Sequence, residues 1–137
     1  MIDAHTLSNV WAPRLLAALR IISALLFLEH GLVKVFGFPA GAAPGRQELL
    51  SLFGIAGLIE AVGGVLLLIG LLARPVAFLL AGEMAVGYFM VHAPEGFYPA
   101  VNGGDAAILF CFIFLYLSAA GPGAWSVDEM RAGTAGR

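Results

Sequence analysis

Residues 48–92 read ELLSLFGIAGLIEAVGGVLLLIGLLARPVAFLLAGEMAVGYFMVH, and only Glu48, Glu60, Arg74 and Glu83 are charged in that run. It holds two apolar stretches, 48–72 and 75–92, each near the ~20 residues that a helix needs to cross a ~30 Å hydrocarbon core. Pro75 suits the start of a helix, where its missing N–H is no loss, and Pro94 disfavours helical geometry at Ala93. The junction at Ala73-Arg74 is too short for anything but a reversal. The two stretches therefore read as an antiparallel membrane hairpin.

Working outward, the pattern repeats at 14–36 and at 104–120, the last stretch stopping at Gly121-Pro122-Gly123. The expected fold is all-α, a single membrane domain over 1–137 built as a four-transmembrane-helix antiparallel bundle. Composition agrees. Of 137 residues, 61% are hydrophobic and 12% charged, about half the charged share of a soluble domain, and the mean hydropathy is +0.94. A soluble enzyme and a disordered linker are excluded on that balance, and a net charge of −2 offers no footprint for nucleic acid. The lone cysteine, Cys111, excludes an internal disulfide, a dithiol pair and a cysteine-rich metal site; it reads as a small buried hydrophobe. A cleavable signal peptide ending at Ala40-Gly41-Ala42 is disfavoured because Glu29, His30 and Lys34 interrupt its apolar region.

Basic residues set the expected orientation. Arg14, Arg74, Arg131 and Arg137 gather on the side of the termini, with Arg20 a turn or two inside, against Lys34 and Arg46 on the other. The positive-inside rule then puts both termini in the cytoplasm and the protein in the inner membrane. Trp11 and Trp125 fall at that same interface, and Ser126-Val127-Asp128-Glu129 has the spacing of a capping box that opens a short surface helix.

A central charge in a span costs roughly 2.5–3.5 kcal/mol on insertion scales, so each one needs a reason. At 1.5 Å per residue, Glu29 lies ~10 Å, Glu60 ~16–18 Å and Glu83 ~13 Å from the outer ends of their spans. His30 and Lys34 sit nearer the outer mouth, and His92 and Asp105 mark the outer ends of the third and fourth spans. Only Arg20 enters from the other half. That asymmetry predicts a polar cavity opening outward and closed below by apolar packing. On the first span Arg20, Ala24, Phe27, Gly31 and Lys34 share one inward stripe, flanked by His30, while Glu29 points almost opposite and has no assigned role. Glu60 shares a face with Gly57, Gly63 and Gly64; Ala77, Ala81 and Ala85 form a small-residue stripe; Glu83 aligns with Gly87 and Met90. Inward Glu60 and Glu83 are expected either to pair with Arg20 or Lys34 or to stay protonated, since a low dielectric disfavours the charged form. Plainer roles stand beside these: an Arg20–Glu60 pair that fixes helix register, Asp105 as a helix-start residue, and Lys34 snorkelling to the interface.

Four segments together resemble the DoxX family of small four-helix membrane proteins: RIISALLFLEHGLVKVFG (20–37), EAVGGVLLLIGLLAR (60–74), HAPEGFYPAVNGGD (92–105) and GPGAWSVD (121–128). The family pattern matches at Arg20, His30, Gly31, Lys34, Glu60, Gly63, Gly64, Gly70, His92, Asn102, Gly103 and Gly104. Asp105 stands where relatives often carry glutamate, Glu29 where an uncharged residue is expected, and the 40–47 connection is short for the family. The resemblance implies a link to oxidoreductases: relatives are membrane subunits of quinone-linked sulfur oxidation, or partners of thiol-redox and oxidative-stress proteins.

The leading expectation is an integral membrane subunit that binds a quinone or similar small ligand and works with a partner oxidoreductase. The candidate ligand-binding residues are Arg20, His30, Lys34, Glu60, Glu83, His92, Asn102 and Asp105, with no catalytic residue, metal or covalently bound cofactor assigned. Electrons would have to come from a second subunit, so the chain alone is a binding site. Expected partners are membrane lipid, that oxidoreductase subunit and a second copy in a homodimer, with no nucleic acid. The alternatives are a structural or maturation partner of another protein, and a carrier of a small solute or protons. A short chain without a visible inverted repeat speaks against the carrier.

Overall fold

The computed structural model describes residues 3–135, and every element among them is helical. Arg137, one of the charges used for orientation, lies outside the described residues. A short turn, α1 (Ala4–Thr6), leads through a π-helical turn at Leu7–Trp11 into α2 (Ala12–Phe36). Next come α3 (Leu52–Ile69) and α4 (Ala73–Gly87), the latter continuing through a π turn at Tyr88–His92 and a 3-10 turn at Ala93–Glu95. The short α5 (Pro99–Asn102) precedes α6 (Asp105–Ala120), and α7 (Val127–Ala135) ends the described chain.

Three stretches are long and apolar enough to cross a membrane: Ala4–Phe36, Leu52–Ile69 and Ala73–Glu95. The fourth apolar helix, α6, has 16 residues, a length of ~24 Å at the helical rise, and so falls short of the expected full span. Gly104 and Gly121 bound it closely at its two ends. The second helix also starts later than expected. Residues 48–51 form a turn in which the Ser51 N–H donates to the Glu48 carbonyl, and the Ser51 hydroxyl then caps α3 by accepting from the Gly54 N–H at 3.1 Å. Pro94 does not stop the third helix at Ala93; the π and 3-10 turns absorb it.

Close approach between α2 and α3 is made by glycine. A Cβ placed on Gly31 would lie 2.5 Å from the Ala61 backbone nitrogen, one on Gly57 2.6 Å from the Lys34 Cβ, and one on Gly64 2.9 Å from the Leu28 Cβ. Such contacts are closer than any side chain allows, so the face that carries Glu60 is flat by necessity. On the same helix Gly63 admits the Leu80 side chain of α4. Beside this seam lies an apolar core that includes Ala24, Phe27, Leu67, Leu80, Phe114 and Leu117, with Phe27 edge-on to Phe114 at 4.9 Å between ring centroids. The outward faces are equally apolar, as at Val62, Phe78, Leu79, Leu109 and Phe112, which suits lipid on that side.

Three charged side chains tie the opposite ends of the elements together. Arg20, fully buried, donates from Nη1 to the Pro122 carbonyl (2.6 Å) and from Nη2 to that of Trp125 (2.9 Å), so the chain after α6 folds beneath α2. The Asp128 carboxylate accepts from the Leu72 and Ala73 N–H groups at 2.9 and 2.8 Å, capping α4. Arg74, beside that cap, joins the start of α4 to the end of α6, donating to the last carbonyls of α6 at Ser118, Ala119 and Ala120. Leu72 and Trp125 are the non-glycine residues held at positive φ, +52° and +55°, and each is gripped by one of these side chains. The capping box of the sequence is realised too: the Ser126 hydroxyl accepts from the Glu129 N–H, opening α7.

Three substitutions test this frame. Gly57→Leu forces the α2–α3 seam apart and should cost about 1–3 kcal/mol or more, read as a clear drop in thermal midpoint in detergent. Gly82→Ala, where the new methyl meets nothing within 4 Å, should leave the midpoint unchanged. Arg20→Met removes both carbonyl contacts and should expose the 121–126 segment to limited proteolysis while the helical content of the membrane core persists.

Candidate functional site: a lysine beside two buried carboxylates

Lys34 is two residues from the end of α2, where its long side chain runs back along the flat glycine face of α3. There its Nζ meets Glu60 Oε1 at 2.5 Å. Glu60 is almost wholly buried and Lys34 keeps a narrow exposure of 15%. Because α3 starts at Leu52, Glu60 stands ~12 Å into its helix, shallower than the sequence numbering suggested. Glu83 completes the cluster from α4, close enough for its charge to act on both Glu60 and Lys34.

One ammonium is thus bonded to one carboxyl group with a second nearby, and the hydrogen-bonding is incomplete. Glu60 Oε2 and both carboxyl oxygens of Glu83 are shut off from solvent and have no hydrogen-bond partner. An unsatisfied buried acceptor costs about 1–3 kcal/mol, more when charged, so three in one place are not a neutral packing detail. The cluster does not open outward as a cavity. Its carboxyl oxygens are enclosed, and Lys34 is the member that reaches the surface. Between α2 and α3 the glycine seam brings the helices too close to leave a void. Apolar packing beneath the cluster is present, through Phe27, Leu67 and Leu80.

The other expected site residues lie elsewhere. Arg20 does not pair with Glu60; backbone carbonyls take its donors, and the acids near enough to act on it are Asp128 and Glu129. His30 is exposed, its Nδ1 bonded to the Leu26 carbonyl at 2.9 Å and its ring edge-on to Phe110, so it does not reach Lys34's partners. Asn102 is spent on its own loop. Its Nδ2 donates to the Gly96 carbonyl and the Tyr88 hydroxyl, and its Oδ1 accepts from the Gly104 N–H. His92 Nδ1 donates to the Asn102 carbonyl at 3.1 Å, so these two fasten the outer turn together. Asp105 is an exposed residue of the first turn of α6, the plainer of its two readings. Asp128 and Arg74, with their capping roles, were not among the sequence candidates. Arg74 counted there only as a topological charge, and nothing local to Asp128 points to amides 55 residues away.

The helices that carry the cluster are also the ones that identify the chain. A model of the DoxX family matches residues 15–93, which include Lys34, Glu60 and Glu83 and exclude α6. The chain belongs to the DoxX family. Relatives of this DoxX protein extend over most of its length. An uncharacterised protein of Haemophilus influenzae is 42% identical over 127 residues, covering 87% of this chain and 92% of that one. An uncharacterised membrane protein of Mycobacterium tuberculosis is 32% identical over 143 residues, covering 85% and 86%. The inner membrane protein YqjF of Escherichia coli is 30% identical over 120 residues, covering 81% and 87%. No solved structure matches the chain. Together with the apolar helices, these likenesses make this DoxX chain an integral membrane protein.

A mutant cycle separates the buried pair from the earlier Arg20 assignment. Lys34→Ala should cost about 3–5 kcal/mol by stranding Glu60, and Lys34→Met combined with Glu60→Leu should recover most of that loss. Arg20→Ala and Glu60→Gln, which share no contact, should add within about 0.5 kcal/mol in thermal or chemical denaturation.

Proposed function

We propose that this DoxX protein is a four-helix antiparallel membrane subunit that receives a proton-donating ligand at Lys34, Glu60 and Glu83 on behalf of a partner oxidoreductase. The observation that carries the reading is the set of three enclosed carboxyl oxygens without a donor. A quinone presents only carbonyl oxygens, which need donors, and the only donor group of the cluster is the Lys34 ammonium, one of whose three N–H groups is held by Glu60. The reduced, quinol form presents hydroxyl groups, which are what the orphaned oxygens lack. The residues therefore fit a quinol-class head group better than its oxidised form. Bound there, it would supply two electrons to a partner and release two protons. The chain's own part is to accept hydrogen bonds at Glu60 and Glu83, and to pass protons outward past Lys34. A Cβ on Gly87, one turn beyond Glu83, would meet nothing within 4 Å, so the face next to Glu83 has room for a ring and tail.

The four-helix arrangement is supported by contacts of opposite sense in each neighbouring pair. Lys34 meets Gly57 and Leu28 meets Gly64; Arg74 meets Ser118 and Tyr88 meets Gly104. The short α6 fits this arrangement if the chain on either side of it lies in the interfacial zones. Both termini are then cytoplasmic by the basic-residue count, with the cluster in the outer half. The redox partner comes from the family resemblance.

The competing reading, that the polar residues serve only helix register, is favoured by Arg20, Arg74 and Asn102, which all bond backbone. Glu83→Gln distinguishes the two. The amide removes one orphaned oxygen and brings a donor toward Glu60 Oε2, so thermal stability should hold or rise while the ligand is lost. Mass spectrometry of organic extracts from gently purified protein reads the second quantity. Near-stoichiometric quinone or quinol in the wild type, at least tenfold lower in Glu83→Gln and in Lys34→Ala, is the expected result. Bulk lipid alone, at equal levels in all three, would sink the proposal.

A further inference from the structure

Two polar residues lie on the outside of α2, where lipid should allow none. Glu29 is exposed seven residues before the end of the helix, ~10 Å into the span, and no hydrogen bond or ion pair engages its carboxyl. His30, next to it, is exposed as well. A carbonyl oxygen can only accept, so the bond to Leu26 puts the hydrogen of His30 on Nδ1 and leaves Nε2 as the acceptor to be satisfied. A carboxyl group and an imidazole Nε2 thus stand on adjacent residues of one face, each without a hydrogen-bond partner among the described residues. They cannot serve each other, because consecutive residues on a helix point about 100° apart.

The rest of that face is apolar and regular. Leu15, Leu19, Ile22 and Leu26 are all exposed, and they recur at intervals of four, three and four. That is the heptad spacing of a helix that packs against a parallel copy of itself, and Glu29 takes the next place in the series. In such packing a seam residue inserts among residues of the facing helix that include its own equivalent and that equivalent's neighbour. Two copies with the same membrane topology, related by a two-fold axis along the membrane normal, hold equivalent residues at equal depth. Glu29 and His30 differ in depth by one residue, ~1.5 Å. Each also lies on the opposite flank of the Leu19–Leu26 line from the other, so the acid flank of one helix meets the base flank of its mate.

We propose that this chain forms a two-fold dimer in the membrane through the outer face of α2, with Glu29 of each copy hydrogen-bonded to His30 of the other. The contact is isologous: the same pair is made twice, and both polar groups leave the lipid together. One proton is held between each carboxyl and the facing Nε2, so neither group faces hydrocarbon unpaired. Leucine against leucine gains little over leucine against lipid, and the two polar contacts supply the preference for association. A second copy fits better than an unrelated partner because one face carries both halves of the contact, at matching depth. The proposal does not depend on the ligand at Lys34.

Single-cysteine variants test it in lipid, with full-length protein carrying Cys111→Ala, reconstituted at high lipid-to-protein ratio and oxidised with copper phenanthroline. Ile22→Cys and Leu26→Cys should give a cross-linked dimer as the main product. Phe78→Cys on α4 and Phe112→Cys on α6, equally exposed on other faces, should stay monomeric. Adding Glu29→Ala to Leu26→Cys should lower the cross-linked fraction at least tenfold, with helical content unchanged. The exchange of Glu29→His with His30→Glu should restore it. Monomer at every position, cross-links as strong at Phe78 or Phe112, no effect of Glu29→Ala, or an exchange that fails to restore the dimer would each overturn the proposal.

Discussion

The bare glycine face of α3 is the constraint on which this molecule turns. At Gly57 and Gly64 it receives Lys34 and Leu28 of α2 at distances no side chain tolerates, and Gly31 returns the favour from α2. In lipid there is little hydrophobic gain from joining two apolar helices, so close packing and polar contacts must do the joining. The same closeness delivers the Lys34 side chain to Glu60 across the seam. A larger residue at Gly57 would displace the very side chain that neutralises the buried acid. Packing and electrostatics are therefore one interaction here, and Glu83 on α4 is the surplus carboxyl group that they leave unanswered.

Charged residues in this chain divide by what they bond. Arg20, Arg74 and Asp128 bond backbone: carbonyls after α6, carbonyls at its end, and amides at the start of α4. Each satisfies helix-end groups that lipid cannot, which is the membrane's demand on any chain reversal. Their roles are complete within the structure. Lys34, Glu60 and Glu83 are different, because counting donors against acceptors leaves a remainder. A remainder of acceptors asks for a ligand that donates, and this separates a binding site from a structural network. Glu29 and His30 form a second remainder, on the outside.

Much of the frame was legible in residues 48–92. Periodicity, the short reversal at Arg74 and the low charge of the run bounded two helices to within a few residues, and the small residues at Gly57, Gly63, Gly64, Ala77 and Ala81 marked the buried faces. The inward stripe of Arg20, Ala24, Phe27 and Gly31 was legible for the same reason: a helix repeats its faces every 3.6 residues whatever it packs against. The candidate site was less so. Lys34, Glu60 and Glu83 do come together, but His30 turns outward by about 80° from that stripe, and Asn102, His92 and Asp105 belong to the outer turn.

Sequence alone determined what depends on neighbours along the chain: the helices, their apolar faces, the membrane as solvent and the capping box before α7. Tertiary structure decided which charge meets which. Arg20 and Lys34 stand on one stripe, and both could in principle have served Glu60. Arg20 lies fourteen residues, ~21 Å, nearer the termini, where the carbonyls of Pro122 and Trp125 claim it. Lys34 lies level with the glycine face and takes the acid. Pairing between charges depends on distances across the chain, and those are set only when the helices have found their register.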